Sequence, residues 1–314
     1  MNLLALDLGG TKTTAALVEL SPAGDARILQ RVTSPTPARE GAARVLENAL
    51  ELTTSLADGR GRGHEPIRAV GVASAGVVDV HRGVVTHATD ALPGWPGTDL
   101  VSAFSTRFGL PAVALNDVHA HGLGEARFGA GAGRGSILLV AVGTGIGGCL
   151  VVEGRPLFGA RGVAGHLGHL AVPEADGVTC SCGRTGHLEG LASGPGIHAL
   201  YLRRGGRAAD TREIAQRAAS GEELATVVLR ECGFATGRVL GGLMNAIDPE
   251  VVVLTGGVSQ IGEPWLGAVR EGITHDAMDA VAGTPVLPAH AGVEAALLGA
   301  AAFAQDELTR GEEV

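Results

Sequence analysis

Between Gly165 and Glu189 the chain gathers imidazoles, thiols and a carboxylate among glycines. The run is Gly165-His166-Leu167-Gly168-His169, then Cys180-Ser181-Cys182-Gly183, then Gly186-His187-Leu188-Glu189. Tetrahedral zinc takes four nitrogen or sulfur ligands, and His169, Cys180, Cys182 and His187 supply that number. The Cys-x-Cys spacing is tighter than the common Cys-x2-Cys knuckle, but both sulfurs can still reach one ion. Four protein ligands leave no position for water, so the site reads as structural zinc. The competing reading is two free thiols among scattered surface histidines. The aperiodic, glycine-rich setting, which a metal would organise, favours zinc. Glu189 is of the type that holds a polar, hydroxylated substrate. Cys149 and Cys232 read as plain buried small residues.

Near the start lies Asp7-Leu8-Gly9-Gly10-Thr11-Lys12-Thr13. Glycines let a turn aim backbone N–H groups at phosphate oxygens. Asp7, at a strand end, can hold magnesium through water, and Thr11 and Thr13 add hydroxyl donors. A plain hairpin turn competes, and a short glycine motif taken alone favours it. The Gly-x4-Gly-Lys-Ser/Thr spacing of a Walker loop is not met. Gly143-Thr144-Gly145-Ile146-Gly147-Gly148 follows a buried strand and loosely matches a dinucleotide fingerprint. A strand rather than a helix follows it, so a second phosphate turn fits better than a Rossmann unit. Thr255-Gly256-Gly257 offers bare backbone on which a nucleoside can lie. Asn116-Asp117 ends a strand. There a carboxylate can accept a hydroxyl proton while Asn116 orients a sugar, although the pair alone favours a helix cap. Phosphate-holding turns and a metal-braced substrate segment together point to a phosphotransferase.

Residues 2–7 read as a buried strand, continued antiparallel by 13–20 and 27–33 about a turn at Pro22–Asp25. A helical pattern covers 38–57, strands 67–74 and 112–116, a helix 118–127, and strands 137–142 and 149–152. The segment 155–190 has little periodicity, which in a compact protein marks a functional stretch. Helical patterns cover 195–202, 211–219, 222–246, 263–280 and 292–306, with a strand at 251–254. A strand followed by glycines recurs at 3–10, 137–148 and 251–257. That suggests two related halves, each a mixed sheet flanked by helices. The tail Gly311–Val314 reads as frayed.

A chain of 314 residues suits two domains and needs no staple for stability. At 45% hydrophobic and 18% charged it reads as globular. The net charge of −9 repels phosphate backbones, and aromatics at 3% give no stacking platform; both argue against nucleic acid as a partner. Arg203, Arg204 and Arg207 read as a solvated face. No apolar run approaches the ~18 residues of a membrane span. Met1 leads into a strand without the features of a secretory signal. Four cysteines do not make a disulfide framework in a chain of this size. The expectation is a reduced, cytoplasmic protein with no membrane partner.

From Leu3 to about Phe303 the chain resembles the ROK family of sugar kinases, in the actin-like, ribonuclease-H-like ATPase superfamily. The resemblance is carried by Asp7–Lys12, Asn116-Asp117, Gly143–Gly148, Gly165-x-x-Gly-His169, Cys180-x-Cys-Gly-x-x-Gly-x-x-Glu189 and Thr255-Gly-Gly257. It implies an α/β, actin-like ATPase fold with two α/β domains around a central cleft. The domains would span 1–117 and 118–291, with a C-terminal helix at about 292–314 packing back on the first. It also implies a homodimer and phosphorylation of a hexose or N-acetylhexosamine by ATP with Mg2+, usually at the 6-hydroxyl. By the family pattern Asp117 is the general base, and Asn116, His169 and Glu189 contact sugar hydroxyls. Asp7, Gly9, Gly10, Thr11, Lys12 and Thr13 would belong with Gly143, Thr144 and Gly145 to the phosphate turns. Gly256 and Gly257 would lie near adenosine. Repressor members carry an N-terminal helix-turn-helix, whereas this chain starts at the kinase strand, which disfavours a regulator.

Two departures carry information. His166 stands where the family usually has the Glu of Gly-Glu-x-Gly-His, and His there resembles bacterial N-acetylmannosamine kinases. His187 replaces the family's third Cys, and zinc can accept imidazole. His87-Ala-Thr89-Asp90 also resembles those kinases, in which the Thr touches the sugar, and Gly76 matches a substrate-contacting glycine. Leu92-Pro-Gly-Trp95 resembles glucose-type kinases instead. The implied activity is a kinase for N-acetylmannosamine in sialic acid breakdown. A glucokinase or other hexose kinase is the alternative within the class, and a catalytically silent sugar sensor the alternative outside it. Intact Asp7, Asp117 and both phosphate turns argue against the sensor.

Overall fold

The computed structural model describes residues 1–21, 24–58, 65–89 and 91–312. In chain order β1 (Asn2–Leu8), β2 (Lys12–Leu20) and β3 (Ala26–Pro35) come first; Pro22 and Ala23 of the expected turn lie outside the described residues. Next come α1 (Ala42–Asp58), β4 (Ile67–Ser74), β5 (Val77–Asp79), β6 (Val84–His87), α2 (Leu100–Phe108), β7 (Ala112–Asn116) and α3 (Asp117–Phe128). They are followed by β8 (Ser136–Val142), β9 (Ile146–Val152), β10 (Arg155–Pro156), α4 (Leu188–Ala192), α5 (Gly194–Arg203) and α6 (Thr211–Ala219). The chain closes with α7 (Glu223–Ile247), β11 (Val251–Thr255), α8 (Glu263–Asp276), β12 (Val286–Pro288) and α9 (Ala295–Glu312). Gly311 is helical rather than frayed, and Glu313 and Val314 lie outside the described residues. One sheet has the order β3-β2-β1-β4-β7 and another β10-β9-β8-β11-β12, a mixed α/β architecture. Among the described residues no helix is long and apolar enough to cross a membrane.

By contacts the chain divides into two units. The first holds Met1–Gly135, Cys149–Ala164 and His290–Val314. At its centre β1 pairs antiparallel with β2 and parallel with β4. Strand side chains alternate between faces. Leu3 and Ala5 therefore join α3 and α9 in one core, while Leu4, Leu6 and Leu8 join α1 and α2 in another. The unit runs past the 117 boundary expected from sequence because α3 packs on α9. Glycines allow that approach. A Cβ on Gly299 would stand 1.9 Å from the Ala120 carbonyl oxygen, and one on Gly124 2.0 Å from that of Ala295.

The second unit holds Ser136–Gly148 and Gly165–Ala289. Here β11 lies parallel to β8 on one side and to β12 on the other. Leu138, Val140 and Val142 of β8 face a core built by α5, α7 and α8, with Trp265 fully buried in it.

Candidate active site

In the first unit Asp117 opens α3 directly after β7. The cap of this helix is Asn116: its Oδ1 accepts the N–H groups of Val118 at 2.9 Å and His119 at 3.2 Å. Its Nδ2 donates to the Gly76 carbonyl and to Asp117 Oδ1, each at 2.8 Å. The four hydrogen-bonding capacities of the Asn116 amide are thus engaged within the chain. Asp117 Oδ1 also accepts the Val118 N–H at 2.9 Å, so two donors aim the carboxylate. Gly76 has φ 95°, and a Cβ there would meet the His87 carbonyl oxygen at 2.5 Å. Glycine is needed at that position for its carbonyl to receive Asn116.

Burial, and then the charge of Asp7, push the Asp117 carboxyl up to about 7. A group poised there exchanges its proton near neutral pH, as a general base requires. Burial also raises Asp7, against the pull of His121 and Lys12. Alternation along β1 puts Asp7 on the face of Leu3 and Ala5, which α3 and α9 cover.

The turn after Asp7 is braced from within. The Gly9 N–H donates to the Lys12 carbonyl at 3.1 Å, and the Thr36 hydroxyl donates to the Gly9 carbonyl at 2.7 Å. Thr13 is fully buried, with its Oγ1 2.9 Å from Thr36 Oγ1. Thr13, expected among the phosphate donors, is therefore engaged in holding the turn, while Thr11 and Lys12 are exposed and Gly10 half-buried. Thr36 gave no signal in the sequence, since a lone Thr at a strand end has many uses. Thr89 is exposed beyond β6. Trp95, of the glucose-type run, is a fully buried core residue whose Nε1 donates to Ser74 Oγ at 3.1 Å.

In the second unit β8 leads into the Gly143–Gly145 turn, and Ile146 already opens β9. The Gly143 N–H donates to the Gly145 carbonyl at 2.9 Å, and the Gly194 N–H at the start of α5 donates to the Gly143 carbonyl at 2.8 Å. Gly256 has φ 92°, and a Cβ there would lie 2.3 Å from the Val142 carbonyl oxygen. The Gly143 and Gly256 turns therefore sit side by side at the ends of parallel strands, with Gly257 following. Glu189 Oε2 accepts the Ile146 N–H at 2.8 Å, and its Oε1 accepts the Ser181 hydroxyl at 2.5 Å. A cavity of about 780 Å³ is lined by Thr144, Thr179, Ser181, Glu189, Ser193 and Arg203. Arg203 borders this cavity and, like Arg204 and Arg207, is exposed, as expected of a solvated face.

His169, Cys180, Cys182 and His187 each offer one ligand atom, all within 4.8 Å of one another. Cys180 Sγ lies 3.5 Å from His169 Nδ1, and Cys182 Sγ 3.3 Å from His187 Nδ1. Metal–ligand lengths of ~2.0–2.3 Å place tetrahedral neighbours ~3.3–3.8 Å apart. The donor set fits one zinc ion. With Nδ1 turned to sulfur, Nε2 of His169 is left for another partner. The His166 ring stacks on the His169 ring, with centroids 6.2 Å apart and planes 21° apart.

The first unit thus brings Asp7, Gly76, Asn116 and Asp117 together. The second joins the Gly143 turn to Glu189 and, through Ser181, to the Cys/His cluster.

The chain is similar to known proteins along its length. The family described as the ROK family matches residues 3–307. N-acetylmannosamine kinase of Citrobacter koseri is 34% identical over 317 residues, covering 98% of this chain and 100% of that one. Glucokinase of Thermotoga maritima is 32% identical over 324 residues, covering 98% of each chain. Among solved structures, a ROK family glucokinase from Streptomyces griseus in complex with glucose and AMPPNP is similar with a TM-score of 0.79 and 29% identity, covering 98% of this chain and 100% of that one.

Proposed function

The chain belongs to the ROK family, with its actin-like ATPase fold, and is an ATP-dependent sugar kinase; from that premise we propose that it phosphorylates the 6-hydroxyl of N-acetylmannosamine. Similarity extends to an N-acetylmannosamine kinase and to a glucokinase alike, so the choice rests on one observation. His166 presents an imidazole against His169. Glutamate at that position would be an anionic acceptor able to hold two hydroxyls. Neutral imidazole offers one donor and one acceptor. The difference suits a sugar that carries an N-acetyl group in place of a hydroxyl at carbon 2.

In this reading the 6-hydroxyl proton passes to Asp117 as the sugar oxygen attacks the γ-phosphorus of ATP and ADP leaves. The proton then returns to water. Asn116 and Gly76 act by holding the Asp117 carboxylate in place. His166, Glu189, Thr89 and Nε2 of His169 are assigned to sugar groups. Thr11, Lys12, Thr144 and the backbone of Gly9, Gly10, Gly143 and Gly145 are assigned to phosphate oxygens, Asp7 to the magnesium, and Gly256 and Gly257 to the adenosine side. The Mg2+ bound with ATP supplies neutralisation of phosphate charge. Zinc on His169, Cys180, Cys182 and His187 would be structural, fixing His169 for the sugar.

The test is kcat/KM for N-acetylmannosamine, glucose and N-acetylglucosamine at saturating Mg-ATP, in the wild type and in His166→Glu. N-acetylmannosamine should lead in the wild type, and the mutant ratio should move towards glucose or N-acetylglucosamine. A wild type that prefers glucose overturns the substrate assignment and leaves the kinase standing. A ratio that does not move shows that specificity lies at other positions.

A further inference from the structure

We propose that Ser181 is a positioning residue that ties the Cys180–Cys182 loop to the Gly143–Gly148 turn through Glu189, so that this loop sets the affinity for the nucleotide. Ser181 lies between the two cysteines on an exposed loop, yet it donates to Glu189 Oε1 at 2.5 Å. The other oxygen of the same carboxylate accepts the N–H of Ile146, the residue after Gly145, at 2.8 Å. The fit is close. A Cβ on Gly145 would lie 2.9 Å from Glu189 Oε2, and one on Gly168 would lie 2.5 Å from the Ile146 carbonyl oxygen and 3.1 Å from the Glu189 Cβ. A carboxylate is planar, so donors on both oxygens fix its orientation, and hydrogen bonds to an ionised group are the strong kind. Without the Ser181 hydroxyl, Oε1 turns to water and the carboxylate can rotate. The Ile146 N–H then loses its anchor, and the turn beside it loses its fixed shape. Preorganised donors bind an anion better than mobile ones.

The inference rests on reading Gly143–Gly148 as a phosphate turn, and the experiment separates the two. Ser181→Ala, Ser181→Thr and Thr144→Ala are compared with the wild type by calorimetry with Mg-AMPPNP, alongside zinc content and thermal unfolding. Ser181→Ala should weaken nucleotide binding by up to about tenfold, the cost of re-ordering about one freed side chain on binding. Zinc content should stay unchanged and melting temperature should fall by no more than about a few degrees, and Ser181→Thr should keep most of the affinity. Thr144→Ala should weaken binding as well. If Thr144→Ala binds normally, the phosphate-turn reading fails and takes the inference with it. If Thr144→Ala weakens binding and Ser181→Ala does not, the inference alone fails. If Ser181→Ala loses zinc in step with nucleotide affinity, the loop acts only by keeping its metal, and the positioning role is wrong.

Discussion

Asp117 stands at the start of a helix that Asn116 caps. The cap hydrogen bonds belong to Asn116 Oδ1, so Asp117→Asn removes the carboxylate and keeps the helix start. A positioned base contributes roughly 10²–10⁴-fold, and kcat of the mutant should fall by that factor with the fold retained. Near-normal turnover would mean that another group takes the proton. The pH profile gives an independent check. Asp117 accepts a proton only when ionised, and its carboxyl lies at about 7 in the free protein. So kcat/KM should fall about tenfold per unit below about pH 7 and level off above it. A profile flat between about pH 5.5 and 8 would remove Asp117 from the role.

Helices and loops carry these residues, and their supports can be broken separately. On α3 the glycine contact with α9 leaves no room. Gly299→Val would force a methyl-bearing carbon onto the Ala120 carbonyl, since even a bare Cβ would stand 1.9 Å from its oxygen. Overpacking costs roughly 1–3 kcal/mol. Because α3 begins with Asp117, thermal stability and kcat should both drop; a loss of stability with kcat unchanged would show that the helix start is held by β7 alone. In the Cys/His loop, the purified protein should carry about one zinc per chain. His187→Ala should lower metal content, and chelation should lower melting temperature and sugar affinity together. Metal analysis of active protein showing no zinc would overturn this. At this scale the sequence was readable where patterns are long or locally dictated. β1, β7 and α7 announce themselves by apolar runs and Gly256 by the glycine pair that ends a strand, whereas Gly76 was legible only through the family resemblance and the positive φ of both glycines only in the structure. The short strands β5, β6 and β12 have too few residues to show a period, and α2 is marked chiefly by its cap, Asp99 accepting from the Ser102 N–H. Thr36 and the inward turn of Thr13 were not legible because they depend on partners distant in sequence, and Ser181 was not because its bond to Glu189 depends on the fold of an aperiodic loop.

For the whole molecule, the same half-buried carboxyl that favours catalysis should cost stability, and the direction follows from linkage. Asp117 has a carboxyl raised in the folded protein to about 7, whereas an unperturbed Asp titrates near ~3.9. The folded state then holds a proton that the unfolded chain has released. Stability is fully present below about pH 4, falls as pH rises towards about 7, and is level beyond that for this group. Three pH units at ~1.4 kcal/mol each give a loss of roughly 4 kcal/mol at most. Asp7, also raised by burial, adds in the same direction. The net charge of −9 strengthens the trend, since each further ionisation adds to self-repulsion. Asp117→Asn keeps the Asn116 cap and removes the main titrating group. Its melting temperature should therefore decline less than that of the wild type between about pH 4 and 7, and should exceed it at about pH 8. Thermal unfolding of both ligand-free proteins across that range is the measurement. Parallel curves would mean that the Asp117 carboxyl is no harder to ionise in the folded chain than in the unfolded one, and the neutral-pH base reading would lose its electrostatic support.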